Sequence, residues 1–375
     1  MPLRFKAALP CLGLLLALGC SPSGTEFGND DSVALRSRMA AEPDPGFARA
    51  VSPRAFEFPG DHGPHRDYAT EWWYLTGNLD TPEKRRFGYQ LTLFRIGLVP
   101  GEPATDSGWR TTQVYMGHLA VSDIDARRHH SAERFSRAAS GLAGARSEPL
   151  AVWLGPWQIN GETATTFPLR VLADTPGFGL SLEIGRGAKP IVLQGDKGLS
   201  QKSGAAGNAS YYYSMTRLPT LGQIRIAERH FEVAGNSWFD REWSSSALGP
   251  DQAGWDWFAL QLDDGRDLMF YRMRGLDGEA QAFSNGVVVD RDGAVHRLQL
   301  GDVQLQATRT WSSHDGTSYP VSWHLRIPAH ALDLQVRAAF DEQEMRHTVR
   351  YWEGAVEVTG SHRGRGYLEL SGYAD

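Results

Sequence analysis

EWWYLTGNL, residues Glu71–Leu79, sets a carboxylate at the head of two tryptophans and a tyrosine. Side chains of a β-strand alternate between faces, so three consecutive aromatics send at least one ring to each side of the sheet. Either both sides are covered by packed layers, or one of them faces a ligand. Outward from this strand, short apolar segments recur: RFGYQLTLFRIGL (Arg86–Leu98), VYMGHLAVSD (Val114–Asp123), LAVWLGPWQI (Leu150–Ile159) and GLSLEIG (Gly179–Gly185). Turn residues separate them at intervals near ten, the spacing of an antiparallel sandwich or barrel. A second series begins with GWDWFALQLDDGRDLMFYRMR (Gly254–Arg274), and its turns are explicit. Asp264-Gly265 and Asp292-Gly293 stand between apolar runs as hairpin signals. Neither series carries a sustained helical period, so the fold class is all-β.

The chain has 375 residues, 41% hydrophobic and 22% charged, enough for two cores. A formal net charge of -6 without a basic stripe argues against nucleic acid as a partner. No glycine-rich phosphate loop opens a helix and no Gly-x-Ser-x-Gly elbow is present, so neither a nucleotide cofactor nor a serine nucleophile is expected.

At the N-terminus, Arg4 and Lys6 precede an apolar stretch, Ala7–Leu18, too short to span a bilayer and fitting a secretory signal over residues 1–19. Ala17-Leu18-Gly19-Cys20 resembles a bacterial lipoprotein lipobox, which implies acylation of Cys20. Ser21 after it resembles lipoproteins sorted to the outer membrane, so the expected location is the periplasmic face of that membrane, with acylation as the membrane contact. Cleavage would remove Cys11 and leave the folded part without a disulfide. Residues 20–50 are polar and small, a tether. Two domains follow, 51–246 and 247–375, divided where SSSALGPDQAG (Ser244–Gly254) interrupts the strands. The halves share a weak repeat: Trp72, Tyr74, Leu75, Leu79 and Asp80 align in order with Trp255, Trp257, Phe258, Leu262 and Asp263. Arg95 and Arg272 then each close the next strand.

FPGDHGPHRDYATEWWYLTGNL (Phe58–Leu79), GHLAVSD (Gly117–Asp123), YYYSMTRLPTLG (Tyr211–Gly222), GNSWFDREWSSS (Gly235–Ser246) and YWEGAVEVTG (Tyr351–Gly360) resemble the AttH-like family, related to carotenoid 1,2-hydratases. The resemblance runs from about Phe58 to Tyr373. It implies two tandem lipocalin-like antiparallel β-barrel domains and an apolar or terpenoid-like small molecule as ligand. It also suggests, through family members, an accessory role in an envelope ABC permease complex. The hydratase branch resembled here uses a histidine before the aspartate of the WFDREW segment and an aspartate soon after a tyrosine on a later strand. This chain has Phe239 and Arg272 at those positions, while Asp240, Trp243 and Tyr271 match. Arginine stays cationic and cannot act as a carboxylic acid donor, so hydratase activity does not carry over.

Three residues are candidate acids or bases. Glu71, desolvated by Trp72 and Trp73, would be a proton donor; its structural alternative is a salt bridge to Arg95 or Arg272 inside a barrel. His118 shares a strand face with Met116 and Ala120, either hydrogen-bonded in a core or oriented as a base by Glu71 or Asp240. Asp240, with Arg241 and Glu242 between Trp238 and Trp243, is expected to be a structural anion paired with Arg241, Arg272 or another cation. The expected ligand wall takes Trp72, Trp73, Tyr74, Arg95, Trp238 and Arg241 from the first half. It adds Trp243, Trp255, Trp257, Tyr271 and Arg272 toward the second. His62 and His65 flank Gly63-Pro64, where proline forbids the helix that would stack them, so no metal is expected. His129-His130 reads as surface.

The function expected is an envelope lipoprotein that binds or carries a lipid or isoprenoid-like molecule; the alternatives are an acid-base enzyme of hydratase, isomerase or cyclase type and the permease subunit. Cys20→Ser is expected to abolish metabolic palmitate labelling and to leave the protein soluble in the periplasm or stalled as its precursor. Unchanged labelling would refute the lipid anchor.

Overall fold

The computed structural model describes residues 45–101, 111–162, 166–245 and 248–374. The signal, Cys20 and most of the tether lie outside the described residues. The first sheet has thirteen strands. They are β1 (Thr70–Asp80), β2 (Arg86–Gly97), β3 (Gln113–Asp123), β4 (Arg128–Arg137), β5 (Ala143–Ser147), β6 (Leu150–Leu154), β7 (Trp157–Glu162), β8 (Thr166–Asp174), β9 (Phe178–Ile184), β10 (Val192–Leu193), β11 (Leu199–Gln201), β12 (Ala209–Ile226) and β13 (Arg229–Ser244). Their order is β4-β3-β2-β1-β13-β12-β9-β8-β7-β6-β5, with β10 and β11 on β12. The two ends approach each other, β3 and β4 against β5 and β6, and curl the sheet into a nearly closed barrel.

The second sheet has ten strands and is a half-barrel. It comprises β14 (Gln252–Leu262), β15 (Asp267–Gly275), β16 (Asn285–Val289), β17 (Val295–Gln299), β18 (Gln304–Ser312), β19 (Ser318–Ile327), β20 (Leu332–Ala338), β21 (Glu344–Arg346), β22 (Arg350–Gly360) and β23 (Gly364–Ser371). Every named pair in both sheets is antiparallel. The only helices among the described residues are single 3-10 turns, in keeping with the absence of a helical period in the sequence.

The weak repeat has a topological counterpart. Each unit opens with a four-strand meander, β1 to β4 or β14 to β17, and returns its final strand to the first: β13 pairs with β1, and β23 with β14. In each, the arginine that closes the second strand sits directly opposite a carboxylate on the first, Arg95 opposite Glu71 and Arg272 opposite Asp256. Both pairs are ion pairs.

Alternation along β1 sorts the opening stretch. Trp73, Leu75 and Leu79 enter the core of the first unit with Phe87, Trp157 and Phe239. Tyr74 turns the other way, into a cluster shared with Trp257, Met269 and Tyr367 of the second unit, with Trp72 packed against it. A separate core, around Phe258, Trp323 and Trp352, fills the half-barrel. The two units are joined by more than apolar contact. The fully buried Asp267 takes Lys189 at 2.8 Å and Arg217 at 2.6 Å from the first unit, and accepts a hydrogen bond from Thr216 at 2.7 Å.

Candidate functional site

Two charged assemblies flank the wall formed by β1 and β13. On its barrel side, Glu71 is completely buried and pairs with Arg95 and, at 2.8 Å, with Arg241. The backbone N–H of His65 donates to both carboxylate oxygens, at 3.1 and 3.0 Å. Arg241 also donates to the carbonyls of Trp72 and Gly63 and lies 4.0 Å from the centre of the Trp73 ring. Burial alone would raise the Glu71 carboxyl, but the two guanidinium groups outweigh it and hold it well below the usual carboxylate range. His65 stacks on Trp243 at 3.6 Å, with Nε2 3.0 Å from Asp61 and Nδ1 facing Glu71. His62 Nδ1 meets the Tyr213 hydroxyl at 2.6 Å. Glu71 is thus a permanent anion that ties the segment around His62 and His65 to the barrel, and it has no proton to give.

On the other side of the wall lies a cavity of about 460 Å³ between the two sheets. Its apolar lining comes from both: Trp72, Phe94 and Met116 from the first unit, Trp255, Trp257 and Met273 from the second. The Tyr74 and Trp257 rings meet edge-on at 5.2 Å. Tyr74 and Trp257, like Trp72 and Trp255, are the residues that the repeat aligns, so the cavity straddles the pseudo-symmetric seam of the molecule.

Among the described residues, three carboxyl groups of this wall, those of Asp240, Glu369 and Glu353, pair with no cation. Asp240 accepts hydrogen bonds from Tyr212 at 2.5 Å and Trp238 Nε1 at 2.7 Å. Trp257 Nε1 in turn donates to the Tyr212 hydroxyl at 3.1 Å. Burial pushes the Asp240 carboxyl up to about 7, against the hydrogen bonds from Ser214, Tyr212 and Trp238 that favour its ionised form. Glu369 accepts from Trp255 Nε1 at 2.8 Å and is likewise pushed up to about 7 by burial, with Glu242 and Asp240 adding to the shift. Glu353 accepts from the Tyr74 hydroxyl; burial, reinforced by Glu369, raises its carboxyl well above the ordinary range. Glu242 differs because Lys202 stands 3.0 Å away, itself 4.4 Å from the Tyr271 ring centre.

His118 belongs to this face. It is fully buried, with Nδ1 2.7 Å from the Tyr351 hydroxyl and Nε2 3.0 Å from Glu133. Glu133 also accepts from the backbone and hydroxyl of Thr348, so the chain Glu133–His118–Tyr351 crosses from one unit to the other. Neither Glu71 nor Asp240 orients the ring.

Of the residues expected to line a ligand, Trp72, Tyr74, Trp255, Trp257 and Tyr271 border the cavity together with Asp240 and His118. Glu71 and Arg95 border it too, but their charged ends turn into the barrel, where Arg95 also donates to the carbonyls of His65 and Tyr68. Trp73, Arg241 and Trp243 lie inside the first barrel, one position out of phase with Trp72, Asp240 and Glu242. Trp238 shares the face of Asp240 and packs 6.3 Å from Trp257 without bordering the cavity. Arg272 points into the half-barrel, paired with Asp256 at 2.6 Å and 5.0 Å from the Trp323 ring, because alternation sends it opposite Tyr271. Among the described residues no cation pairs with Asp240, contrary to the expected structural anion. His129 is half-buried, not surface; it hydrogen-bonds Ser122 at 2.9 Å and faces Met345 of the second unit.

Glu353, Glu369, Lys202 and Tyr212 were not singled out from the sequence. Glu353 carries the signal that marked Glu71, a carboxylate beside an aromatic residue in a strand, here Trp352-Glu353 within YWEGAVEVTG. Which face each carboxylate takes, and whether an arginine waits there, depends on the pairing of distant strands.

Two changes separate the assemblies. Glu71→Gln leaves Arg95 and Arg241 buried without their anion and is expected to cost about 3–5 kcal/mol in denaturant unfolding; a loss under 1 kcal/mol would refute the structural role. Asp240 holds its proton longer in the folded than in the unfolded chain, so its contribution to stability falls as pH rises from about 4 to about 7. Asp240→Asn removes that slope, at most about 1.4 kcal/mol per pH unit, and should therefore lose less stability than the parent over this range. Parallel profiles for the two proteins would contradict a buried, neutral Asp240.

Among curated protein sequences, none matches this chain. Among solved structures, an AttH-type protein from Nitrosomonas europaea is 35% identical, covers 88% of this chain and 100% of its own length, and superposes with a TM-score of 0.77. Kievitone hydratase from Nectria haematococca is 14% identical over 90% of this chain and 98% of its own, with a TM-score of 0.66. CghA is also 14% identical, over 89% and 98%, with a TM-score of 0.51. The last two share the fold. The AttH-like family profile matches residues 49–373, nearly all of the two-sheet body, and this chain belongs to that family.

Proposed function

We propose that the protein binds an apolar small molecule in the cavity between its two sheets, and that a lipid anchor at Cys20 holds it at the periplasmic face of the outer membrane. The observation that carries the binding reading is the cavity itself: about 460 Å³, walled by tryptophan, phenylalanine and methionine from both units, with a few convergent polar groups. That size and lining suit a ligand of modest size held by burial and oriented by a small number of hydrogen bonds. Placement between the units, rather than within a barrel, leaves both cores filled by their own side chains.

A second reading, acid-base catalysis on such a molecule, is favoured by Asp240 and Glu369. Both border the cavity and titrate near neutral pH, where a group serves best as donor and acceptor of protons. The reaction class would be hydration, isomerisation or cyclisation.

Native mass spectrometry of the protein purified without detergent, beside titration with the apolar fluorophore N-phenyl-1-naphthylamine, tests the binding reading. The expected results are a retained apolar molecule or one saturable probe site per chain, and at least tenfold weaker probe binding by Thr92→Phe, which fills part of the cavity wall. An empty protein that takes up no probe would overturn the reading, and a stable protein partner in its place would point to the permease subunit.

A further inference from the structure

Among the described residues, a carboxyl oxygen in the cavity wall lacks a partner. Glu353 of β22 is 1% exposed and stands directly opposite Glu369 of β23. Its Oε1 accepts the Tyr74 hydroxyl, while its Oε2 is buried with no hydrogen-bond partner. Among the described residues no cation pairs with either Glu353 or Glu369. Two neighbouring carboxyls in an apolar wall cannot both ionise, so the pair retains at least one proton.

Two tyrosine hydroxyls approach the Glu353 carboxyl, and each has a closer or direct partner of its own. Tyr74 donates to Glu353, and Tyr351, on the same strand face two residues before Glu353, meets His118 at 2.7 Å. A neutral carboxylic acid whose Oε1 already serves as acceptor has one unused function, the Oε2 hydrogen, and Glu353 borders the cavity. We infer that Glu353, as the neutral acid, donates a hydrogen bond from Oε2 to an acceptor oxygen of the bound molecule, which makes an apolar carbonyl compound the ligand class of the cavity. A carbonyl suits the position better than an alcohol, since it accepts without needing an acceptor in return. The remainder of such a ligand meets Trp72, Met116 and Trp257, which ask only for apolar surface. The inference rests on the cavity-binding reading and adds to it the residue that sets orientation and selectivity.

A matched pair of probes of nearly equal shape tests it: 2-acetylnaphthalene, with the carbonyl, and 2-ethylnaphthalene, without. The parent protein is expected to bind the ketone about three- to tenfold more tightly, the worth of one net hydrogen bond. The carbonyl stretch of the bound, carbon-13-labelled ketone should move below its value in an alkane solvent. Glu353→Leu should erase the preference and the shift while leaving 2-ethylnaphthalene affinity within twofold; Glu353→Gln, which keeps an N–H donor, should retain part of both. If neither variant folds, the parent's preference and carbonyl stretch decide. Binding of both probes with equal affinity and an unshifted stretch would overturn the Glu353 assignment and spare the cavity reading. Failure of both probes to bind would overturn both.

Discussion

The wall shared by β1 and β13 governs this molecule. Because side chains of a strand alternate, each of these two strands serves two interiors at once: odd-numbered positions fill the first barrel, and even-numbered positions face the second unit. Glu71, Trp73, Phe239, Arg241 and Trp243 go one way; Trp72, Tyr74, Trp238, Asp240 and Glu242 go the other. A slip of one residue in β13 against β1 would exchange the two faces of β13, placing Arg241 in the apolar cleft and the carboxyls of Asp240 and Glu242 in the barrel core.

Burial acts on carboxyl groups on both sides of that wall, with opposite outcomes. Glu71 has Arg95 and Arg241 within ion-pair distance and the backbone N–H of His65 shared between its two oxygens, so the charged form wins despite complete desolvation. Among the described residues, Asp240, Glu353 and Glu369 receive hydrogen bonds from tyrosine and tryptophan but no cation, so burial shifts each toward its neutral form. The difference lies in the partner, not in the depth. It also divides the roles: an anion locked by two guanidinium groups can only hold structure, while a buried neutral acid keeps a proton available to a ligand.

The repeated half-motif explains where the cavity lies. Trp72 with Tyr74 and Trp255 with Trp257 occupy equivalent places in the two meanders, and each pair faces the opposite unit. Across that seam the Tyr74 and Trp257 rings meet edge-on. Arg95 and Arg272 occupy equivalent inward places as well, each neutralised by the carboxylate across the strand pair.

Much of this was legible in the sequence, because it depends on local pattern. Alternation, turn spacing and Asp-Gly hairpins specify the all-β class; three successive aromatics at Trp72–Tyr74 require two covered faces; the motifs from Phe58 onward identify the family. The candidate site was legible only in part. Alternation within a strand says that Asp240 and Arg241 part company, yet it does not say which of them meets the barrel and which the cavity. That choice is made by the register of β13 against β1 and β12, strands separated from β1 by more than a hundred residues. Likewise, nothing local distinguishes Glu71, which meets arginines, from Glu353, which meets another glutamate: both are carboxylates beside tryptophan in a strand. A carboxyl's charge depends on what lies within a few ångströms of it, and in a sheet those neighbours come from other strands. The sequence by itself determined the strands and their faces; only the tertiary structure decided which buried acids keep their protons, because pairing between distant strands sets the electrostatic surroundings of each.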